Sequence, residues 1–275
     1  MSPRPSARGP RAVIRAGDHA VIEHTNYSTN LETPRLIGAQ VDRIGLRIED
    51  DYRLDVERVA SMLRPDTRLI SVTTPHNPTG VDLSLDDLHT LIELAERDDC
   101  WLLVDGTYRE IARPAPLSVA ASLSPRAISV SSMSKTYGLP GLRLGWIVNR
   151  DPELSETLLA AKEQIVSCGS TLDETASAQV LARRREHLPR LRAEIDRRVE
   201  IVSEWMAHQS HWLEWVEPTG DVVCFPRVRA GVIGDMDRFY DVLHGEHGEH
   251  VRRRGALVRH RPAPLPPRLR LAADR

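Results

Sequence analysis

The stretch Ser129–Trp146, SVSSMSKTYGLPGLRLGW, decides how the rest of the chain is read. It holds Lys135, one of only two lysines among 37 lysines and arginines in the 275-residue sequence. A cation needed for solubility alone is supplied almost everywhere else by arginine, whose guanidinium cannot shed its proton to become a nucleophilic amine. An amine retained at this position therefore points to chemistry. The lysine follows AISVSS, a short run with strand character, and small hydroxylated residues flank it. Arg143 comes eight residues later inside the glycine-bracketed GLRLGW. Such a lysine can form a Schiff base with a carbonyl cofactor, and the arginine can reach back to hold a phosphate through charge-assisted hydrogen bonds. A lysine beside a strand is by itself an ordinary solvated charge, so the reading depends on its surroundings.

Two further stretches supply that context. RLISVTT (68–74) is a β-branched strand running into PHNPTG (75–80), whose prolines and glycine force an irregular turn. The carboxyl ends of strands in open α/β sheets are where ligands bind. CWLLVDGTYRE (100–110) is a buried strand that ends at Asp105, and a carboxylate at the mouth of an apolar strand is costly unless paired.

Together S-x-S-K-x-x-G-x-x-G-x-R-x-G-W (132–146), TTPHNPTG (73–80) and LLVDGTYRE (102–110) resemble, in order and distance, the motifs of the class I/II aminotransferases, fold type I pyridoxal-phosphate enzymes. The resemblance runs from about residue 17 to about residue 226. It implies an aminotransferase that moves an amino group between an amino acid and a 2-oxo acid. Lys135 would hold pyridoxal 5'-phosphate as an internal aldimine and carry the proton at substrate Cα. Asp105 would keep the ring nitrogen protonated, making the ring a better electron sink. Tyr108 and Asn77 would hydrogen-bond the phenolic oxygen, Ser132 and Arg143 would hold the phosphate, and Tyr27 in HTNYSTN would pack on the ring. Ser134 would be only a small neighbour. Arg270 in RLRLA, with Arg268 next, is the positional candidate for the substrate carboxylate. Sites of this kind usually lie at a dimer interface, so a homodimer is expected.

The family's Gly-Ser or Gly-Thr phosphate loop, which lies upstream of residue 17, has no counterpart here. A helix N-terminus is a ready phosphate site, so cofactor binding is expected to be weaker. The competing expectation is a truncated, catalytically silent homologue or a binding-only protein. Within enzymes, a pyridoxal-phosphate lyase or cyclase is the alternative.

The chain order predicts an α/β fold, with a mostly parallel sheet carrying helices on both faces and a smaller C-terminal α/β domain. Residues 1–16, rich in Pro and Arg, read as an irregular lead-in, 17–165 as the cofactor-binding large domain, and 166–250 as linking helices and the small domain. Helical spacing predicts helices over LETPRLIGA, LDVERVASML, LSLDDLHTLIELAERDD and most of 152–206. WLEWVEPTGDVVCFPRV (212–228) reads as two short strands joined by a turn. Residues 251–275 form an Arg/Pro-rich tail resembling translation of another reading frame of a GC-rich gene.

Composition narrows the classes further. A formal charge of -2 gives no electrostatic case for nucleic acid. Cys100, Cys168 and Cys224 are far apart and in no C-x-x-C pair, so neither a disulfide framework nor a zinc ribbon is expected. The spacing of His244, His247 and His250 lacks a defined acidic second shell, and no metal is expected. Lys162 sits in a charged helical stretch and reads as a surface residue. With no run of about 18 apolar residues and no secretory signal, a cytoplasmic protein without membrane contact is expected.

Overall fold

The computed structural model describes residues 13–113, 115–220 and 222–245, and these fall into two compact units divided between Val232 and Ile233. The first unit is built on a six-stranded sheet: β1 (His19–His24), β2 (Gln40–Gly45), β3 (Thr67–Thr73), β4 (Trp101–Asp105), β5 (Ala127–Ser132) and β6 (Gly145–Val148). The spatial order is β2-β1-β3-β4-β5-β6, parallel throughout except for β6, which runs antiparallel to β5. The α/β architecture with a mostly parallel sheet is therefore present.

Both faces of the sheet are apolar because alternate residues of a strand point to opposite sides. Val21, Ile70, Val72, Leu102 and Val104 enter one core with helices α2 (Val56–Met62) and α3 (Leu85–Arg97), through Val59, Leu88 and Leu91. Ala20, Ile22, Leu69, Trp101 and Ile128 enter the other core with α1 (Ser28–Leu36) and α5 (Pro152–Ile165), through Leu31 and Leu154. The short helix α4 (Ala120–Leu123) adds Ala120 to the first core. Helix starts are set by local chemistry: Asp55, Ser84 and Asp151 accept backbone N–H bonds from the first turns of α2, α3 and α5.

After β1 the chain goes out to β2 and returns on the other side of β1 to form β3, so the strand order reverses there. Open sheets bind ligands outside the strand carboxyl ends at such a reversal.

Helices α6 (Thr171–Ala182) and α7 (Arg184–His208) follow α5. β7 (Leu213–Glu214) pairs antiparallel with β8 (Arg227–Val228). Two strands were expected in this stretch, but their ladder is only two residues long. The chain between them bonds to loops of the large sheet instead. Thr219 N and Gly220 N both donate to Gly80 O at 2.9 Å, Arg113 N donates to Thr219 O at 2.8 Å, and Tyr52 OH donates to Phe225 O at 3.1 Å. Residues 166–232 consequently share a unit with the sheet, whereas the sequence reading divides the chain at 165/166. The second unit contains α8 (Met236–Gly245), opened by Asp235, whose Oδ1 accepts from Arg238 N at 2.9 Å. Among the described residues no helix is long and apolar enough to cross a membrane, and no group of three His, Cys, Asp or Glu is placed to hold a metal. His247, His250, Arg268 and Arg270 lie outside the described residues, as does the tail from 251.

Candidate active site

Asp105 is the last residue of β4, and the chain turns sharply after it. Its Oδ1 accepts from Thr107 N at 3.0 Å and from Thr107 Oγ1 at 2.6 Å, the bonding of an Asx turn. Thr107 O in turn accepts from the hydroxyl of Thr136, a buried residue next to Lys135, at 2.8 Å. A continuous hydrogen-bonded chain thus ties the acid at the end of β4 to the lysine loop.

That loop, residues 133–144, is the tip of the β5–β6 hairpin and carries both Lys135 and Arg143. Ser132 faces Gly145 in the ladder, Met133 N donates to Leu144 O at 3.0 Å, and Gly138 N donates to Lys135 O at 2.9 Å. Lys135 is exposed and borders a cavity of about 390 Å³ whose walls include Leu139, Val180, His187, Leu188 and Leu191. Arg143 is exposed, in a left-handed conformation with φ 49°, and its Nη1 donates to Pro140 O at 2.9 Å.

Asn77 and Tyr108 come together from the turns after β3 and β4, with Asn77 Nδ2 donating to Tyr108 Oη at 3.4 Å. Tyr108 is buried and packs with Ile111 against Ile195 of α7. Arg192 of α7 fixes that contact by donating through Nε and Nη2 to Glu110 O at 2.9 and 2.7 Å.

Tyr27 caps the start of α1 and is 51% exposed. Its backbone N–H donates to Asn26 Oδ1 at 2.6 Å, while Asn26 Nδ2 donates to Thr73 Oγ1 at 3.0 Å. The turn after β1 is thereby held to the end of β3.

Four further polar residues at this end of the sheet, Glu23, His76, Thr107 and Thr136, have no counterpart among the sequence candidates. Glu23, 3% exposed, accepts from Thr73 N through Oε2 at 2.7 Å. Burial pushes its carboxyl up to about 8, with the negative charge of Asp105 adding to the rise and the Thr73 bond opposing it. His76, also buried, shares a 2.9 Å bond between Nδ1 and Thr79 Oγ1, and burial pulls it down to about 4. Its Nε2 stands 3.9 Å from Glu23 Oε2. Thr107 was legible in principle, because D-x-T is an Asx-turn spacing. Glu23, His76 and Thr136 carry no such local signal.

The sequence profile described as "Aminotransferase class I and II" matches residues 9–273. The chain belongs to this family. Among curated relatives, an arginine–pyruvate transaminase of Pseudomonas aeruginosa is 27% identical over 248 residues, covering 88% of this chain and 61% of that protein. Capreomycidine synthase of Streptomyces vinaceus is 28% identical over 232 residues, covering 84% of this chain and 59% of the relative. A PLP-dependent aminotransferase from Streptococcus suis 89-1591 superposes with a TM-score of 0.77 at 27% identity, over 86% of this chain and 62% of that one. The chain therefore spans about three fifths of the length of the relatives it matches. In this class I and II aminotransferase family member, the structure joins Asn77 to Tyr108 and links Asp105 to the lysine loop. Ser132 and Arg143 stand at the base and in the tip of one hairpin.

Proposed function

We propose that this chain is a pyridoxal-phosphate-dependent aminotransferase that moves an amino group between an amino acid and a 2-oxo acid. The observation that carries the reading is the convergence of Asn77, Tyr108, Asp105 and the Lys135 loop at the carboxyl ends of three adjacent strands, β3, β4 and β5. The donor set fits the cofactor: an amine for its carbonyl, an acid for its ring nitrogen, and an amide with a phenol for its phenolic oxygen. When bound, pyridoxal phosphate supplies an electron-withdrawing ring that stabilises negative charge at substrate Cα.

Lys135 supplies the anchoring amine and, once released by substrate, takes the proton from Cα. Asp105, fixed by two bonds from Thr107, presents its remaining lone pairs to a protonated ring nitrogen. Asn77 and Tyr108 donate to the phenolic oxygen, Ser132 and Arg143 hold the phosphate, and Tyr27 covers the ring face. Arg270 is the proposed carboxylate ligand. Residues 17–165 form the cofactor-binding part, and the working unit is a cytoplasmic homodimer. The relative that is a synthase supports a second outcome at the same site, in which the protein directs bond making or breaking at the substrate other than amino transfer.

The test is the visible absorption spectrum of the purified chain after incubation with pyridoxal phosphate and dialysis, beside Lys135→Ala. A retained band absent from the variant, and fixed by borohydride onto the Lys135 peptide, supports the reading. A folded chain that retains no band is a catalytically silent member of the family.

A further inference from the structure

Two carboxyl groups, Glu23 and Asp105, stand at the same end of the sheet with one strand between them. Thr73, the last residue of β3, is the link: it faces Asp105 in the β3–β4 ladder, and its N–H donates to Glu23 Oε2 at 2.7 Å. Glu23 is therefore directed to the strand on which Asp105 is registered. The other ionisable group facing it is His76, from the turn after β3, with Nε2 at 3.9 Å. On its own strand Glu23 is followed by His24, the last residue of β1. Among the described residues no lysine or arginine forms an ion pair with Glu23.

We propose that Glu23 is a positioning residue for the cofactor site, a carboxyl kept neutral behind Asp105 so that Asp105 alone bears the negative charge offered to a ring nitrogen. This rests on the reading of Asp105 given above. The physical reason is that neighbouring carboxyls buried in a medium of low polarity cannot both ionise cheaply, so their proton affinities are driven apart. Here the environments differ in the direction required. Asp105 is half-buried and accepts two hydrogen bonds, whereas Glu23 is buried and accepts one. The burial that lifts Glu23 to about 8 also holds His76 neutral, so no cation is at hand to draw the proton from Glu23. Glu23 touches no reacting atom and acts only through the charge balance at Asp105.

The experiment is a carboxyl-carbon NMR titration, from pH 5 to 9, of the full chain carrying carbon-13 glutamate and no cofactor, with Glu23→Gln to identify the resonance. One glutamate should change protonation near pH 8 and be missing from the variant. A Glu23 resonance titrating among the ordinary glutamates overturns the proposal. Asp105→Asn, which leaves Glu23 in place and serves should Glu23→Gln fail to fold, should move the Glu23 midpoint to lower pH; an unmoved midpoint overturns the coupling. Equilibrium dialysis with pyridoxal phosphate from pH 7 to 9 should show an inflection in the wild type that Glu23→Gln lacks, and identical curves overturn the link to the site. A chain that retains no pyridoxal phosphate at any pH defeats the functional reading instead, and the two titrations still decide the state of Glu23.

Discussion

Lys135 and Arg143 share one hairpin loop and one sign of charge, yet only the lysine carries an amine that can act as a nucleophile. Lys135→Arg keeps the charge and the loop while removing the nucleophile. The variant should lose covalent capture of pyridoxal phosphate altogether, and any transaminase activity should fall by about 10²–10⁴-fold, the range typical of a lost acid–base group. Borohydride trapping and initial rates check both outcomes. The four residues Asn77, Asp105, Tyr108 and Lys135 were legible in the sequence because each sits inside a local string whose turn chemistry and strand ending are readable without knowing the fold. Thr136 was not. Its role depends on a carbonyl 29 residues away in sequence, and a threonine after a lysine carries no mark of that partner.

Between elements, the tie from the lysine loop to the β4 end is one hydroxyl. Thr136→Val removes the donor and leaves the carbonyl of Thr107 short of a partner in a partly buried setting. The loss should be about 1 kcal/mol by denaturant melting, with weaker cofactor retention. A double-mutant cycle with Asp105→Asn should give a non-zero coupling energy if Thr107 transmits the effect. The turn after β3 depends on Gly80 in another way. Its φ is +74°, and an added Cβ would stand 2.5 Å from both Pro218 Cβ and Val223 O. Gly80→Ala should destabilise by more than about 1 kcal/mol, because strain at positive φ adds to a clash with chain that cannot retreat without losing its bonds to Gly80 O. Thermal melts and faster proteolysis within 215–226 would show it. The brevity of the β7–β8 ladder has the same origin. Alternation in 212–228 permits strands, but the backbone groups between them are satisfied by the large sheet's loops.

For the whole molecule, the buried groups set the response to pH. Glu23 keeps its proton to about pH 8 when folded, against an ordinary 4.5, so between those values the folded chain binds more protons and stability falls as pH rises. Asp82, lifted by burial to about 6 from an ordinary 3.8, adds to that fall below about pH 6. His76 works oppositely, its pKa lowered to about 4 from 6.5, so stability rises with pH between those values. The slopes oppose one another up to pH 6.5, and above that the Glu23 slope remains. From pH 6.5 to 8 the wild type should lose up to about 2 kcal/mol that Glu23→Gln does not lose, as read from denaturant melts at each pH. The sheet also ends on an exposed strand: β6 is at the edge of the strand order, with Ile147 53% and Val148 39% exposed. Unpaired apolar edges promote association, so Ile147→Lys should reduce concentration-dependent light scattering.

The sequence by itself determined the alternation of strands and helices, a mostly parallel sheet with helices on both faces and the motif strings at the strand ends. Hydrophobic periodicity, caps and turn residues are properties of neighbours along the chain. Only the tertiary structure decided that Asn77 meets Tyr108, that Thr136 reaches Asp105 through Thr107, and that Glu23 lies across Thr73 from Asp105. Those contacts join residues far apart in sequence. They depend on strand order and register, which arise from burying both faces of the sheet at once.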